Sequence, residues 1–386
     1  MPLRAYLIAG VPEQNMSLFH RVRFSTGDPA AYLLIENTEE SSQESIFIVR
    51  DIEVERAKTS AKADTVYAPK DLIAAESLSA DREVGTSQAI VAILKEQGIG
   101  TLTIERSSPA IYQHTIAESG IVCTCDPQWG TTARRQKSGD ELAALRAAQK
   151  VTETVMRKSC EFVAKANCND QGTLIADNQE LTSERLQTLI DIWLLEHGYV
   201  ESTSIVAGGP QGADCHHRGS GVLRTGQPIV IDIFPRSKKS HYWGDCTRTV
   251  VHGKVPEIVT RMHQTVVKAK QAAVNATRAG VTGETVNEAT LRVMRDDGFG
   301  TSTFGPNDDQ SLISMVHGTG HGVGLALHEA PLLVSGGPVL LVSDVVTIEP
   351  GLYGRTIGGI RVEDMYAVTE NGCENFNSIP EGLQWN

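Results

Sequence analysis

The chain contains no run of consecutive apolar residues long enough to cross a membrane, which takes roughly 18 or more. Its first ten residues, MPLRAYLIAG, carry a short apolar patch without a small-residue cleavage site, so no secretory leader is expected there. Positive charge is scarce: 35 Lys and Arg against 47 Asp and Glu leave a formal net charge of −12. Phosphate backbones need a positive surface, so nucleic acid is not an expected partner. Disulfide chemistry lacks a framework too, because the seven cysteines are odd in number and no spacing repeats. Reduced thiols in a cytoplasmic compartment are expected. Cys123 and Cys125 stand one residue apart and would share a strand face, but two thiols are half of a structural zinc site. The sequons at Asn15 and Asn275 carry no weight without secretion. Internal repeats and low-complexity segments are absent as well.

What is present is 386 residues, 40% of them hydrophobic and 21% charged, enough for two soluble globular domains. Residues 1–133 read as alternating strands and helices. Ala31 to Glu36, Ser45 to Val49 and Thr101 to Glu105 have strand length and pattern, and Thr86 to Gln97 has helical spacing. The character changes near Arg134. Ser138 and Glu141 form a capping-box pattern, and Leu142, Leu145, Ala148 and Val155 follow at helical spacing. A second domain is therefore placed at 139–386. Further helices are expected near Ser183 to His197, Pro256 to Ala273, and from a second capping box at Thr285 to Glu288. Strands are expected at Pro228 to Phe234, Thr247 to Val251 and Val339 to Ile348. Helix pairs alternating with hairpins make this domain α+β.

Four carboxylates sit where carboxylates are costly. Asp232 lies in the apolar run IVIDI of residues 229–233, and burying an unpaired carboxylate costs several kcal/mol, roughly. Asp245 follows thirteen residues later, and a hairpin would let the two face each other. The structural alternative is that one of them pairs with Arg248 and the other caps a turn. Glu349 and Glu363 also lie in apolar, strand-like runs, where ion pairs with Arg355 or Arg361 are the plain alternative. Between the two pairs lies MVHGTGHGVGLALHE, residues 315–329. It holds His317, His321 and His328, and four alternate glycines that allow close backbone approach. Its spacing fits neither a dinucleotide loop nor a zincin helix. One histidine and four carboxylates suit Mn(II), Fe(II), Co(II) or Zn(II), and bridging two ions accounts for so many oxygens.

These segments resemble the pita-bread metallopeptidases, the family of methionine aminopeptidase, aminopeptidase P, prolidase and creatinase. The resemblance rests on Asp232, on DCTRT at 245–249, HGTGH at 317–321, HEAP at 328–331, IEPG at 348–351 and RVED at 361–364. It covers most of residues 139–370 and implies a C-terminal pita-bread catalytic domain. FSTGD at 24–28 and DIEVERA at 51–57 resemble a smaller α/β creatinase-type N-terminal domain, which tilts the assignment toward the Xaa-Pro branch.

The resemblance implies a dinuclear metallopeptidase that hydrolyses peptide bonds next to proline, as an Xaa-Pro aminopeptidase or dipeptidase. The ions would be Mn(II) first, with Co(II), Zn(II) or Fe(II) as alternatives. Asp232 would chelate one ion, Asp245 and Glu363 would bridge both, and His321 and Glu349 would complete the second. Glu349 would shuttle protons, and His328 would bond the oxyanion or the substrate carbonyl. His317 and Arg361 would line the proline subsite. His216, with His217 as the alternative, would contact the substrate amine or scissile nitrogen. The family also implies a homodimer and a peptide substrate. The other readings are a creatinase-like hydrolase or metal-dependent lyase acting on a small molecule, and a catalytically silent binding protein. Two departures stand out. Twelve residues separate Asp232 from Asp245, two more than the family pattern, and the added length falls in the basic segment PRSKKS at 235–240. Asp232-Ile-Phe234 stands where the family often has Asp-x-Gly, and the longer basic loop is expected to reshape the substrate entrance.

Overall fold

Alternating apolar residues in three consecutive strands set the architecture of the N-terminal unit. In this computed structural model, which describes residues 3–200 and 203–385, the chain divides into two units between Arg134 and Arg135. The first unit is built on a six-stranded sheet. Its strands are β1 (Leu3–Gly10), β2 (Ala30–Asn37), β3 (Ser42–Ile48), β4 (Thr65–Tyr67), β5 (Thr101–Glu105) and β6 (Val122–Asp126), in the order β4-β3-β2-β1-β5-β6. The meander β1-β2-β3 is antiparallel, and β4, β5 and β6 join it in parallel. Because side chains alternate along a strand, Leu7, Leu33, Ile46 and Ile48 face one side. There they pack against Ile90, Ile93 and Leu94 of α2 (Arg82–Glu96) and Tyr112 and Ile116 of α3 (Ala110–Glu118). Ile8, Leu34 and Phe47 face the other side and meet Leu18 and Val22 of α1 (Met16–Val22). Asp28 is clamped between Arg50 and Arg82, so the FSTGD segment braces this unit. Cys123 and Cys125 both lie on β6, and all seven cysteines are free thiols.

The second unit is α+β. Its first helix, α4 (Gly139–Ala164), opens on a full capping box: Ser138 Oγ accepts from Glu141 N, and the Glu141 carboxylate accepts from Ser138 N. α4 and α5 (Ser183–Glu196) cover an antiparallel sheet of β7 (Ile205–Gly208), β8 (Pro228–Ile233) and β9 (Cys246–Val251), in that order. A second helix pair, α6 (Glu257–Ala276) and α7 (Gly283–Asp296), packs on the remaining strands. Those form a five-stranded sheet from β10 (Gly320–Gly322), β11 (Glu329–Leu333), β12 (Val345–Ile348), β15 (Asp364–Val368) and β16 (Cys373–Asn375), in the order β11-β10-β12-β15-β16. Between β12 and β15 in sequence, β13 (Gly351–Gly354) and β14 (Gly358–Arg361) make an antiparallel hairpin.

Two sequence expectations fail locally. The cap of α7 is Thr282 rather than Thr285: the Thr282 hydroxyl accepts from Thr285 N at 3.1 Å, which starts the helix a turn earlier. The strand expected from Val339 begins only at Val345. Asp344 turns the chain first, accepting from Leu341 N at 2.7 Å and pairing with Arg135.

The two-residue period explains how the strands serve the site. Ile229, Ile231 and Ile233 of β8 point into the core under α4 and α5. Asp232, one residue out of phase, points to the opposite face. On the paired strand, Cys246 and Val250 join the helix-side core while Thr247 stands across from Asp232 in register. On the β14 side, Ile360 and Val362 enter the core beneath α6, so Arg361 and Glu363 project the other way.

Candidate metal centre

The faces so defined enclose a cavity of about 490 Å³. Its lining includes Asp232, Asp245, His321, Glu349 and Glu363, so the five expected ligands are brought together. Asp245, His321 and Glu363 each offer a ligand atom within 4.8 Å of the others. His321 Nε2 lies 3.6 Å from Asp245 Oδ2 and 3.4 Å from Glu349 Oε1.

Each carboxylate is held from outside the cavity. Gln149 of α4 clamps the main chain of Asp245, accepting from its N at 2.8 Å and donating to its O at 2.7 Å. Thr247 donates its hydroxyl to Glu363 Oε2 at 2.7 Å, and Thr347 donates to Glu349 Oε1 at 3.3 Å. Arg361 is buried and makes four hydrogen bonds: it donates to Asp232 Oδ2 at 2.7 Å, to Tyr353 Oη at 2.9 Å, to Thr247 Oγ1 at 3.1 Å and to Cys215 O at 3.3 Å. Arg248, offered by the sequence as a partner for Asp232 or Asp245, is used elsewhere: it pairs with Asp364 at 2.7 Å. Arg355 bonds the main-chain oxygens of Gly305 and Asp308, which leaves neither glutamate an ion pair with it. Glu349 and Glu363 sit just beyond β12 and between β14 and β15, at strand ends rather than inside strands.

The donor set fits divalent cations. Burial raises the Asp245 carboxyl well above its usual range, and the neighbouring Glu363 and Asp232 raise it further. Burial and the neighbouring Glu349 and Asp232 raise Glu363 too, and burial pushes Glu349 up to about 7. His321 is pushed down to about 3, by burial first and then by His328, so its ring is neutral. With Nδ1 3.1 Å from Gly322 O, the proton resides there and the Nε2 lone pair faces two carboxylates. A neutral ring nitrogen and ionised carboxylates this close repel unless a cation, or protons on the carboxyls, lies among them. Asp232 Oδ1 is buried and, among the described residues, has no hydrogen-bond partner, which fits a cation ligand.

The remaining histidines separate by geometry. His317 has both nitrogens engaged, Nδ1 with Gly318 O at 2.7 Å and Nε2 with Tyr353 Oη at 2.7 Å. Burial holds its pKa at about 4, so it presents a neutral ring edge rather than a titrating proton. His328 stacks edge-on against His321, centroids 4.2 Å apart, and among the described residues its nitrogens have no hydrogen-bond partner. His216 lines this cavity. His217 does not, and its Nδ1 accepts from Gly219 N at 2.9 Å. The basic segment 235–240 contributes no lining residue: Arg236 and Ser237 pair with Val200 and Tyr199. Phe234, just before that segment, does line the cavity.

Gln149, Thr247, Thr347 and Tyr353 were invisible to sequence reading because neutral side chains give no burial penalty to notice. The one available signal was register, which places Thr247 opposite Asp232 once β8 and β9 are paired.

Comparison with known proteins identifies a family. Residues 143–370 match metallopeptidase family M24. A Mycobacterium tuberculosis protein named "Probable dipeptidase PepE" is 29% identical over 338 residues, 84% of this chain and 83% of its own. The Xaa-Pro dipeptidase of Pyrococcus furiosus is 28% identical over 59% of this chain and 62% of its own. Among solved structures, an Xaa-Pro dipeptidase from Bacillus anthracis superposes with a TM-score of 0.79 at 22% identity, covering 99% of this chain and 95% of that one. The prolidase from Pyrococcus horikoshii OT3 gives 0.77 at the same identity and coverage. These likenesses show the pita-bread fold. With the family match spanning more than half of its length, the chain belongs to metallopeptidase family M24.

Proposed function

We propose that this chain is a dinuclear, proline-directed metallopeptidase. One observation carries the metal reading: five ligand-type side chains converge, with the buried Asp232 Oδ1 and the His321 Nε2 lone pair both lacking a donor. The proline-directed reading is supported by relatives named Xaa-Pro dipeptidase and prolidase. Asp232 would hold one ion, Asp245 and Glu363 would bridge, and His321 and Glu349 would hold the second. Mn(II) is the ion proposed first. Bound divalent ions would supply Lewis-acid polarisation of a carbonyl and an acidified water.

The chain's own groups do the rest. Glu349, on the cavity wall, would take and return a proton. His328 has a free ring nitrogen at the cavity wall for the substrate carbonyl or its oxyanion. His216, also on that wall, is assigned the scissile nitrogen or the substrate amine. His317 and Arg361, locked through Tyr353, form a rigid wall for a ring-shaped residue such as proline. Residues 1–133 are proposed to be a creatinase-type domain, and the active species a cytoplasmic homodimer. These last points rest on the family resemblance and on the free thiols.

A peptide panel tests the reading. Short peptides with proline second should be cleaved before proline, and alanine in its place should cost most of the rate. Equal cleavage of both series contradicts proline direction. Turnover of small guanidino or sulfonium compounds, with no peptide cleaved, moves the assignment to a small-molecule enzyme.

A further inference from the structure

Two arginines line the cavity, and they are not equivalent. Arg361 is buried and its charge is matched by Asp232. Arg218 is exposed toward solvent and, among the described residues, forms no ion pair. It is nevertheless fixed. Its Nη1 donates to the main-chain oxygen of Thr203, and its guanidinium carbon lies 5.3 Å from the centroid of the Phe234 ring. Phe234 belongs to a small apolar cluster with Ile205 and Ala207, against which Leu327 and Trp243 pack. Ile205, Phe234 and Leu327 line the cavity beside His328. The wall is therefore apolar at its base and carries one oriented, unmatched cation at its edge.

We infer that Arg218 is a carboxylate anchor that reads the free C-terminus of a short substrate, making the chain a dipeptidase rather than a peptidase of longer or blocked chains. The inference rests on the proline-directed reading above. An incoming carboxylate meets four carboxylates in this cavity, so it enters only where a cation receives it. Arg361 cannot turn from Asp232 without leaving that carboxylate buried and unpaired. Arg218 loses no ion pair by accepting one. Its planar fork suits a carboxylate, and stacking on Phe234 pre-orders it, so little rotamer freedom is lost on binding. The apolar base beneath it fits the hydrocarbon part of a C-terminal residue, and the amide of a longer chain at that position carries no charge to match.

The test compares an X-Pro dipeptide with its C-terminal amide and with X-Pro-Ala, on the full-length, metal-loaded protein and on Arg218→Ala and Arg218→Lys. The intact protein should favour the free acid over the amide by about 10- to 100-fold in kcat/KM, expressed in KM. Arg218→Ala should bring that ratio to near one, and Arg218→Lys should restore part of it. Calorimetric binding of proline against prolinamide gives a readout that needs no turnover and should show the same selectivity. An intact protein that treats acid and amide alike, or a ratio unchanged in Arg218→Ala, overturns the anchor while leaving proline direction standing. Acid-selective binding that depends on Arg218, with no X-Pro substrate cleaved, overturns the proline-peptidase reading and leaves the anchor.

Discussion

Arg361 holds Asp232 by one oxygen: Nη2 donates to Oδ2 at 2.7 Å, while Oδ1 is buried and, among the described residues, has no hydrogen-bond partner. The guanidinium thus aims the carboxylate without consuming it. Tyr353 extends the same chain to His317, so orientation is transmitted across the cavity by neutral and cationic donors alone.

Arg361→Met should therefore act on metal affinity more than on folding. Outer groups that orient a ligand are worth roughly 10- to 100-fold in affinity, and that loss is expected in a competitive metal titration. Unchanged affinity would show that Asp232 needs no external aim.

Asp245→Asn should make the metal-free protein more stable while abolishing metal-dependent activity. Burial and the nearby Glu363 and Asp232 already disfavour a charge at Asp245, so removing it relieves a strain that only a cation offsets. Chemical denaturation without metal should show a gain of about 1–2 kcal/mol. A loss of stability would mean that Asp245 is a structural group first.

Metal binding should release protons at neutral pH. The Glu349 carboxyl, pushed up to about 7, holds its proton in the metal-free fold below that pH, and binding must expel it. Affinity should fall about tenfold per pH unit per proton as pH drops below 7. Without metal, the sign in stability is the reverse. A carboxyl raised in the fold penalises folding increasingly as pH climbs from its ordinary value of 4.5 to about 7. His321 and His317, lowered to about 3 and 4, work against it, costing stability as pH falls below 6.5. The difference between the native protein and Glu349→Gln isolates the glutamate, and calorimetry in two buffers counts the protons.

Arg248→Met should destabilise the second unit by about 3 kcal/mol, because it strips one of the two cations from the fully buried Asp364. Arg248 also donates to the main-chain oxygen of Glu363 at 2.6 Å, so metal affinity should fall with stability. Urea unfolding and metal titration on one preparation read both.

Gly320→Ala should fail to fold well. A Cβ there would stand 2.0 Å from Thr347 O, where β10 packs beside β12. Relief requires moving the backbone that carries His321, so loss of soluble expression or of metal binding is the expected readout.

The sequence exposed most of the charged site and little of what holds it. Asp232 and Glu363 betray themselves because ionisable groups in apolar runs are improbable without a partner, and the glycine-rich histidine segment marks close packing. The clamps are different. Gln149 lies on a long helix more than ninety residues from Asp245, and nothing local distinguishes it from a surface glutamine. The choice between His216 and His217 depended on which side of one turn faces the cavity, which adjacent residues cannot reveal. The strand predicted from Val339 failed because apolar content alone does not show where Asp344 turns the chain.

The central claim is tested most directly by metal content and X-Pro hydrolysis measured on one Mn(II)-reconstituted sample, with Asp245→Ala in parallel. Close to two ions per chain, cleavage before proline, and loss of both in the variant are expected. A protein that binds no metal yet cleaves, or one that keeps its metal and activity without Asp245, would contradict it.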